Sequence, residues 1–249
     1  MHGYDPAAYG DRLGADYDTL YPVEGLETAE TVELLASLAQ CDPQPSLLEF
    51  GIGTGRLALE LVERGIEVAG IEASQAMVAA LRAKSSAPIE VAVGDYVCTR
   101  LARTFSVVAL VFNNILDPRG LPAQLALFRN AAEHLVPGGH FVIEAFVLPD
   151  EARDGSWSVS PRYVGADHVE FQLSRFDIET STLERTLVHL RPEGPEFVRV
   201  RDVYSGPGEL DVMAHVNGFK RVARYSDWGR APFTARSRRH VSVYQWQSP

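Results

Sequence analysis

The chain predicts an α/β fold: a doubly wound, mostly parallel sheet of seven strands, with a small antiparallel β lobe inserted late in the sequence. Three observations carry this reading. Short apolar strands alternate with helix-like runs between residues 27 and 149, an order that implies right-handed crossovers and a parallel sheet covered on both faces. Between 150 and 208 apolar and polar side chains alternate with period two, the mark of antiparallel strands with one wet face. Beyond 208 a helix and two more strands return. The chain thus divides into an N-terminal segment (1–26), a core (27–149), an inserted antiparallel lobe (150–208) and a closing part of the core (209–249).

Residues 27–40, "ETAETVELLASLAQ", set Val32, Leu34, Leu35 and Leu38 at roughly helical spacing. "CDPQPS" ends that helix, because proline lacks an N–H and fixes φ. "LLEF" is a strand that runs into Gly51, Gly53 and Gly55, and "RLALELVERG" is a helix closing on Gly65. "EVAGIEA" (67–73) is a strand, and "SQAMVAALRAKS" a helix with Ser74 as its N-cap. "IEVAVGD" (89–95) and "FSVVALVFNN" (105–114) are strands, and "LPAQLALFRNAAEHLVPGG" (121–139) is a helix stopped by Pro137 and two glycines before the strand "HFVIEAFV". In the lobe, "HVEFQLSRFDIET", "TLERTLVHLRP" and "EFVRVRDVYSG" make about three strands. A helix "PGELDVMAHVNGF" and strands near 220–228 and 240–247 then close the sheet as an antiparallel pair, which needs no crossover.

At 249 residues and 46% hydrophobic, the chain suits one domain with a full core. Its formal net charge of −10 argues against a polyanionic partner, so no nucleic acid is expected. Cys41 and Cys98 match no metal spacing and are too few for a disulfide scaffold, which suits a reducing cytoplasm. No apolar run approaches signal-peptide or membrane length, so the expected protein is soluble, cytoplasmic and free of membrane.

A strand, a glycine-rich turn and a helix put backbone amides and a helix N-terminus at the carboxyl end of a strand, where ligands of open α/β sheets bind. The third glycine comes one residue too early for a dinucleotide turn. Glu49, just before the glycines, would repel a pyrophosphate but attract a cation. Glu72 closes the next strand about 20 residues on, where ribose hydroxyls are gripped. "LLEFGIGTGRLALEL", "VAGIEAS" and "VAVGDY" resemble, at the right intervals, the signature segments of class I S-adenosylmethionine-dependent methyltransferases. The resemblance spans residues 28–149 and reaches "VNGFKRVARYSDW"; it implies a Rossmann-like sheet with S-adenosyl-L-methionine as cofactor and S-adenosyl-L-homocysteine as its product.

By that resemblance Glu49 and the turn Gly51, Gly53, Gly55 face the methionine part, whose ammonium wants an acceptor. Glu72 accepts both ribose hydroxyls. Met77, or Ala73 beside it, packs on the adenine; in the segment holding Gly94, Asp95 takes the adenine amino group and Tyr96 lies next to the ring. The ordinary alternatives are that Asp95 caps a turn and Met77 is core.

The methyl-acceptor end is less determined. "FNNILDP" follows the fourth strand, where the family sets residues beside the methyl group, so Phe112 is a candidate for the site. Asp117 stands where amino-sugar N-methyltransferases, similar in layout, carry a histidine, and is either a general base or a turn former. Tyr17 and Tyr21 share one helical face, and Y-D-x-x-Y segments occur in small-molecule members as a lid; Tyr21 is the second catalytic candidate beside Asp117, and Pro22 and Gly25 give that lid a hinge-like end. The lobe would shape an acceptor pocket or a homodimer contact, with Trp157, Tyr163 and Phe171 as pocket candidates, whereas His140 and His168 read as structural. Arg230, Arg236, Arg238 and Arg239 form either a solvated loop or an anion site. The expected activity is methyl transfer to N or O of a small molecule, as in natural-product tailoring. The rivals are a cyclisation or rearrangement on the same fold, methylation of RNA or protein, and a non-enzymatic binding module.

Overall fold

The computed structural model describes residues 5–14, 17–20, 27–86, 88–149, 152 and 154–247. In chain order these form α1 (Ala8–Leu13), α2 (Tyr17–Leu20), α3 (Thr28–Ala39), β1 (Ser46–Phe50), α4 (Arg56–Glu63), β2 (Glu67–Glu72), α5 (Gln75–Lys84), β3 (Glu90–Val93), β4 (Phe105–Leu110), α6 (Leu121–Glu133) and β5 (Leu135–Phe146). There follow β6 (Ser158–Val164), β7 (Val169–Asp177), β8 (Thr182–Arg191), β9 (Gly194–Val203), α7 (Pro207–Val216), β10 (Phe219–Tyr225) and β11 (Arg239–Trp246).

The most apolar strands lie in the middle of the sheet. β1 and β4 bury every side chain, and they are neighbours in a seven-stranded sheet of order β10-β11-β5-β4-β1-β2-β3. Successive residues of a strand point to opposite faces, and here each face has its own core. Leu47, Val107, Ala109 and Val142 pack with α3 and α4 on one side. Leu48, Val108, Phe141 and Ile143 pack with α6 and α7 on the other. β1 to β5 pair in parallel, while β11 runs antiparallel to both β5 and β10. All the carboxyl ends of the parallel strands therefore open on one edge, where the glycine turn sits.

Three boundaries differ from the sequence reading. The helix expected over 121–139 ends at Glu133, and β5 already begins at Leu135. Gly138, at φ 79, lets the strand continue through an irregularity between the Phe105 and Val107 pairings. The strand expected over 105–114 stops at Leu110, because Phe112 and Asn113 turn left-handed at φ 60 and 64. The lobe holds four strands, in the order β6-β7-β8-β9. Its extra strand, β6, is an exposed edge strand whose register shifts at Pro161, a place where a missing N–H is tolerated.

Candidate active site

The turn after β1 needs glycine for two reasons. Gly51, Gly53 and Gly55 all lie at positive φ (74, 57 and 85), a region costly for side-chain-bearing residues. The space around them differs. A Cβ on Gly55 would stand 2.1 Å from Leu81 Cδ1, so that glycine serves the packing of α4 on α5. A Cβ on Gly51 would stand 2.9 Å from Asn114 Nδ2. A Cβ on Gly53 meets nothing nearer than the Gly51 carbonyl oxygen at 4.0 Å. The backbone at Gly53 thus borders an open cradle.

Two carboxylates flank that cradle. Glu72 accepts the Gly53 N–H at 3.0 Å on one oxygen and the Ser74 N–H at 2.9 Å on the other, tying the turn to the start of α5. Burial raises its pKa, and the backbone donors hold it back. Glu49 is more extreme: its Oε2 is buried with no hydrogen-bond partner. Burial pushes its carboxyl up to about 8, against the pull of Arg56 and with the repulsion of Glu72 behind it. An orphaned buried acceptor beside a second carboxylate fits a cationic ligand group such as the ammonium of S-adenosylmethionine.

The adenine candidates sit around the end of β3. A Cβ on Gly94 would come within 2.3 Å of Thr99 Oγ1, so this glycine serves a tight turn. Asp95 accepts the Val97 N–H at 2.9 Å and pairs with Arg119, Nη1 to Oδ2, at 2.5 Å. Tyr96 stacks on Phe50, with ring centres 6.3 Å apart and planes within 11°. Met77 is buried, and Ala73 is half-buried.

Beyond β4 the chain forms a pinned loop. The Phe112 N–H donates to Glu144 Oε2 at 3.0 Å, the Asn113 N–H to the Glu144 carbonyl at 3.3 Å, and Asn113 Oδ1 accepts the Phe146 N–H at 2.7 Å. The Arg56 guanidinium lies 4.9 Å from the centre of the Phe112 ring. Two consecutive non-glycine residues in left-handed geometry are strained, and such strain gathers at functional sites. Sequence reasoning named Phe112 but missed Glu144 of β5 and Arg56 of α4, which reach the loop from other elements, and Asn114 on the loop itself.

Asp117 is buried and held. Its Oδ1 accepts the Arg119 backbone N–H at 2.7 Å and Nε at 2.9 Å, and its Oδ2 accepts Nη2 at 2.7 Å. This geometry fits the turn former, because Asp117 closes the loop onto Arg119 two residues on.

The N-terminal helices lie across the cofactor side. Ser74 Oγ donates to Asp11 of α1 at 2.6 Å, Thr54 Oγ1 donates to Asp18 of α2 at 2.6 Å, and Arg12 pairs with Glu196 of β9. Tyr17 begins α2; Tyr21, Pro22 and Gly25 lie outside the described residues. Trp157 and Tyr163 are 53% and 46% exposed, and the Tyr163 ring stacks on His168 at 4.4 Å. Phe171 is half-buried. Burial lowers the pKa of His140. The arginines near the C-terminus are drawn apart: Arg230 donates to Ser37 at 2.9 Å, while Arg239 pairs with Glu27 at 2.5 Å and Glu144 at 3.8 Å. Among the described residues no helix is long and apolar enough to cross a membrane.

Comparison with known proteins agrees with this geometry. Residues 47–139 match the methyltransferase domain family. The structure superposes on the CcbJ methyltransferase from Streptomyces caelestis with a TM-score of 0.87 and 31% identity, covering 98% of this chain and 100% of that one. The chain belongs to the class I S-adenosylmethionine-dependent methyltransferases. Within that family it is 30% identical, over 69% of each chain, to the dTDP-4-amino-2,3,4,6-tetradeoxy-D-glucose N,N-dimethyltransferase of Saccharopolyspora spinosa. It is also 24% identical to the cypemycin N-terminal methyltransferase of a Streptomyces species, over 98% of this chain and 99% of that protein.

Proposed function

We propose that the chain methylates an amino group of a small molecule bound between the carboxyl ends of β4 and β5 and the inserted lobe. The observation that carries this reading is the Phe112–Asn113 loop pinned by Glu144, whose side chain is buried to all but 15%. A carboxylate placed there attracts an ammonium, and the ring of Phe112 beside it offers a flat apolar wall. When bound, S-adenosylmethionine supplies a methyl group already activated on a sulfonium. The chain's task is therefore alignment and exclusion of water. Glu49 would hold the methionine ammonium, Glu72 the ribose hydroxyls, and Asp95 with Tyr96 the adenine. Residues 1–26 would close over them as a lid carrying Tyr17 and Tyr21. Glu144 would orient the acceptor as its ammonium, which must release one proton to water before the neutral amine can attack.

The relatives support nitrogen as the acceptor atom: the Saccharopolyspora protein is named for dimethylation of an amino sugar and the cypemycin enzyme for methylation of an N-terminus. The likeness to the second over nearly the whole chain favours a peptide amine as the alternative acceptor. The test offers labelled methyl donor with matched acceptors: an amino sugar nucleotide, its hydroxyl analogue and a short peptide. Label in the amino sugar alone, at one or two methyl groups, is the expected result. Equal label in the hydroxyl analogue defeats the nitrogen assignment, and label in the peptide alone moves the acceptor class.

A further inference from the structure

Arg119 sits between two carboxylates that the loops bring together from distant points of the chain. Its Nη1 donates to Asp95 Oδ2 at 2.5 Å and its Nη2 to Asp95 Oδ1 at 3.3 Å. The same guanidinium gives Nε and Nη2 to the two oxygens of Asp117 at 2.9 and 2.7 Å. Asp117 has a side chain with no exposure, against 28% for Arg119 and 16% for Asp95. The set thus grades from a fixed, dry anchor to a carboxylate at the border of the cofactor cradle.

The anchor stands on rigid ground. Gly120 follows at φ 78 beside Val203 of β9. Gln124 of α6 donates to the Val203 carbonyl at 2.8 Å and accepts from Ser205 Oγ at 2.6 Å. The charge of Asp117 is also felt by Asp202 of β9, whose pKa burial raises. A planar guanidinium fork with bonds on two sides has little freedom to turn.

We propose that Asp117 and Arg119 are positioning residues for the adenine end of the cofactor: the buried Asp117 fixes the Arg119 fork, and the fork aims the Asp95 carboxylate so that it accepts a six-amino group and rejects a six-oxo group. This rests on the assignment of Asp95 to the adenine amino group. A mobile Asp95 would turn away from a six-oxo group and lose little, whereas a clamped one faces it lone pair to lone pair. Selectivity for the base is therefore set by Asp117, a residue that does not itself reach the base.

The experiment is calorimetric, on the full chain, with S-adenosylhomocysteine and S-inosylhomocysteine as ligands. The native protein is expected to prefer the adenosyl ligand by about 10–100-fold, the worth of one hydrogen bond to a charged group. Asp95→Asn should erase the preference, since an amide can turn its oxygen to a six-amino group or its NH2 to a six-oxo group. Asp117→Asn and Arg119→Gln should each cut it to within about threefold, mainly by tighter binding of the inosyl ligand, and Arg119→Lys should restore part of it. Thermal melts accompany each variant; should Asp117→Asn not fold, Arg119→Gln, altered at a partly exposed site, decides alone. Native preference retained in Arg119→Gln while Asp95→Asn has lost it overturns the proposal and leaves the Asp95 assignment standing. An equal loss of affinity for both ligands, the sign of a merely structural role, overturns it too. Native preference retained in Asp95→Asn removes the assignment and the proposal together.

Discussion

The cofactor cradle and the inserted lobe leave opposite things unsatisfied. At the cradle a polar atom is buried without a partner, Glu49 Oε2. On the lobe, apolar side chains stand in water: Val159, Val164 and Phe197 are 63%, 73% and 56% exposed. A buried acceptor without a donor costs free energy that a cationic ligand can return. Exposed apolar groups cost far less and specify far less. The cradle is therefore shaped for one ligand, whereas the lobe is shaped by its own strand pairing and leaves room for variation in what it covers.

The largest effect should come from removing the carboxylate that closes the cradle. Glu72→Ala takes away the expected acceptor of two ribose hydroxyls and unties Gly53 from Ser74. Charge-assisted bonds of this kind predict a loss of cofactor affinity of about 10²–10⁴-fold, read by calorimetry. Gly53→Ala should give a similar loss with the fold kept, because the added methyl points into the open cradle and costs about 1–2 kcal/mol of left-handed strain. Native affinity in both variants would refute the placement of the cofactor.

A smaller effect is expected at the strap between the two regions. α1 bonds Ser74 beside the cradle and Glu196 on the lobe. Deleting residues 1–22 should leave a core that melts cooperatively but turns over about 10–100-fold more slowly, as for a lost lid. Full turnover by the truncated protein would take Tyr17 and Tyr21 out of the site.

Which of these residues were legible in the sequence follows from how far their partners lie along the chain. Gly51, Gly53 and Gly55 are marked by the turn itself. Glu72 reaches Gly53 across 19 residues, within one strand–helix–strand unit of recognisable shape. Asp117 stands in "LDP", which is readable locally as a turn or as a base, and its bonds to Arg119 are local too; the further reach of Arg119 to Asp95, 24 residues back, has no local mark. Glu144 meets Phe112 from 32 residues away, through the pairing of β4 with β5. No local pattern marks such a meeting. In the lobe, β6 was missed because Ser158, Ser160 and Pro161 look like loop, and only an edge strand tolerates them.

The comparison sharpens with pH. In the folded chain the Glu49 carboxyl lies at about 8, against an ordinary value of 4.5. Below about 4.5 folded and unfolded states both hold the proton, and the raised value costs nothing. As pH rises towards 8 the unfolded chain releases the proton and the folded one keeps it, so stability falls across that window. Glu49→Gln should remove this fall, raising the melting temperature of the free protein by a few degrees at pH 8 and leaving it nearly unchanged at pH 5. Cofactor affinity in the native protein should rise about tenfold from pH 6 to 7, because binding the ammonium requires the ionised carboxylate. A melting temperature with the same pH profile in both proteins would mean that Glu49 is not the group under strain.

The smallest effect belongs to the lobe. Phe197 on β9 stands opposite Val188 of β8 and is more than half exposed. Phe197→Thr keeps a strand-forming residue and removes only apolar surface already in water. Cofactor affinity should be unchanged, and stability should move by no more than about 0.5 kcal/mol. A loss above about 1.5 kcal/mol that grows on dilution would show that the working protein covers this surface with a second copy of itself, since dissociation links stability to concentration. The same loss without a concentration dependence would place Phe197 against the rest of its own chain instead. An unchanged melting curve at every concentration leaves the face in water, and the two regions then differ as the structure has them: one waits for a ligand, and the other for nothing.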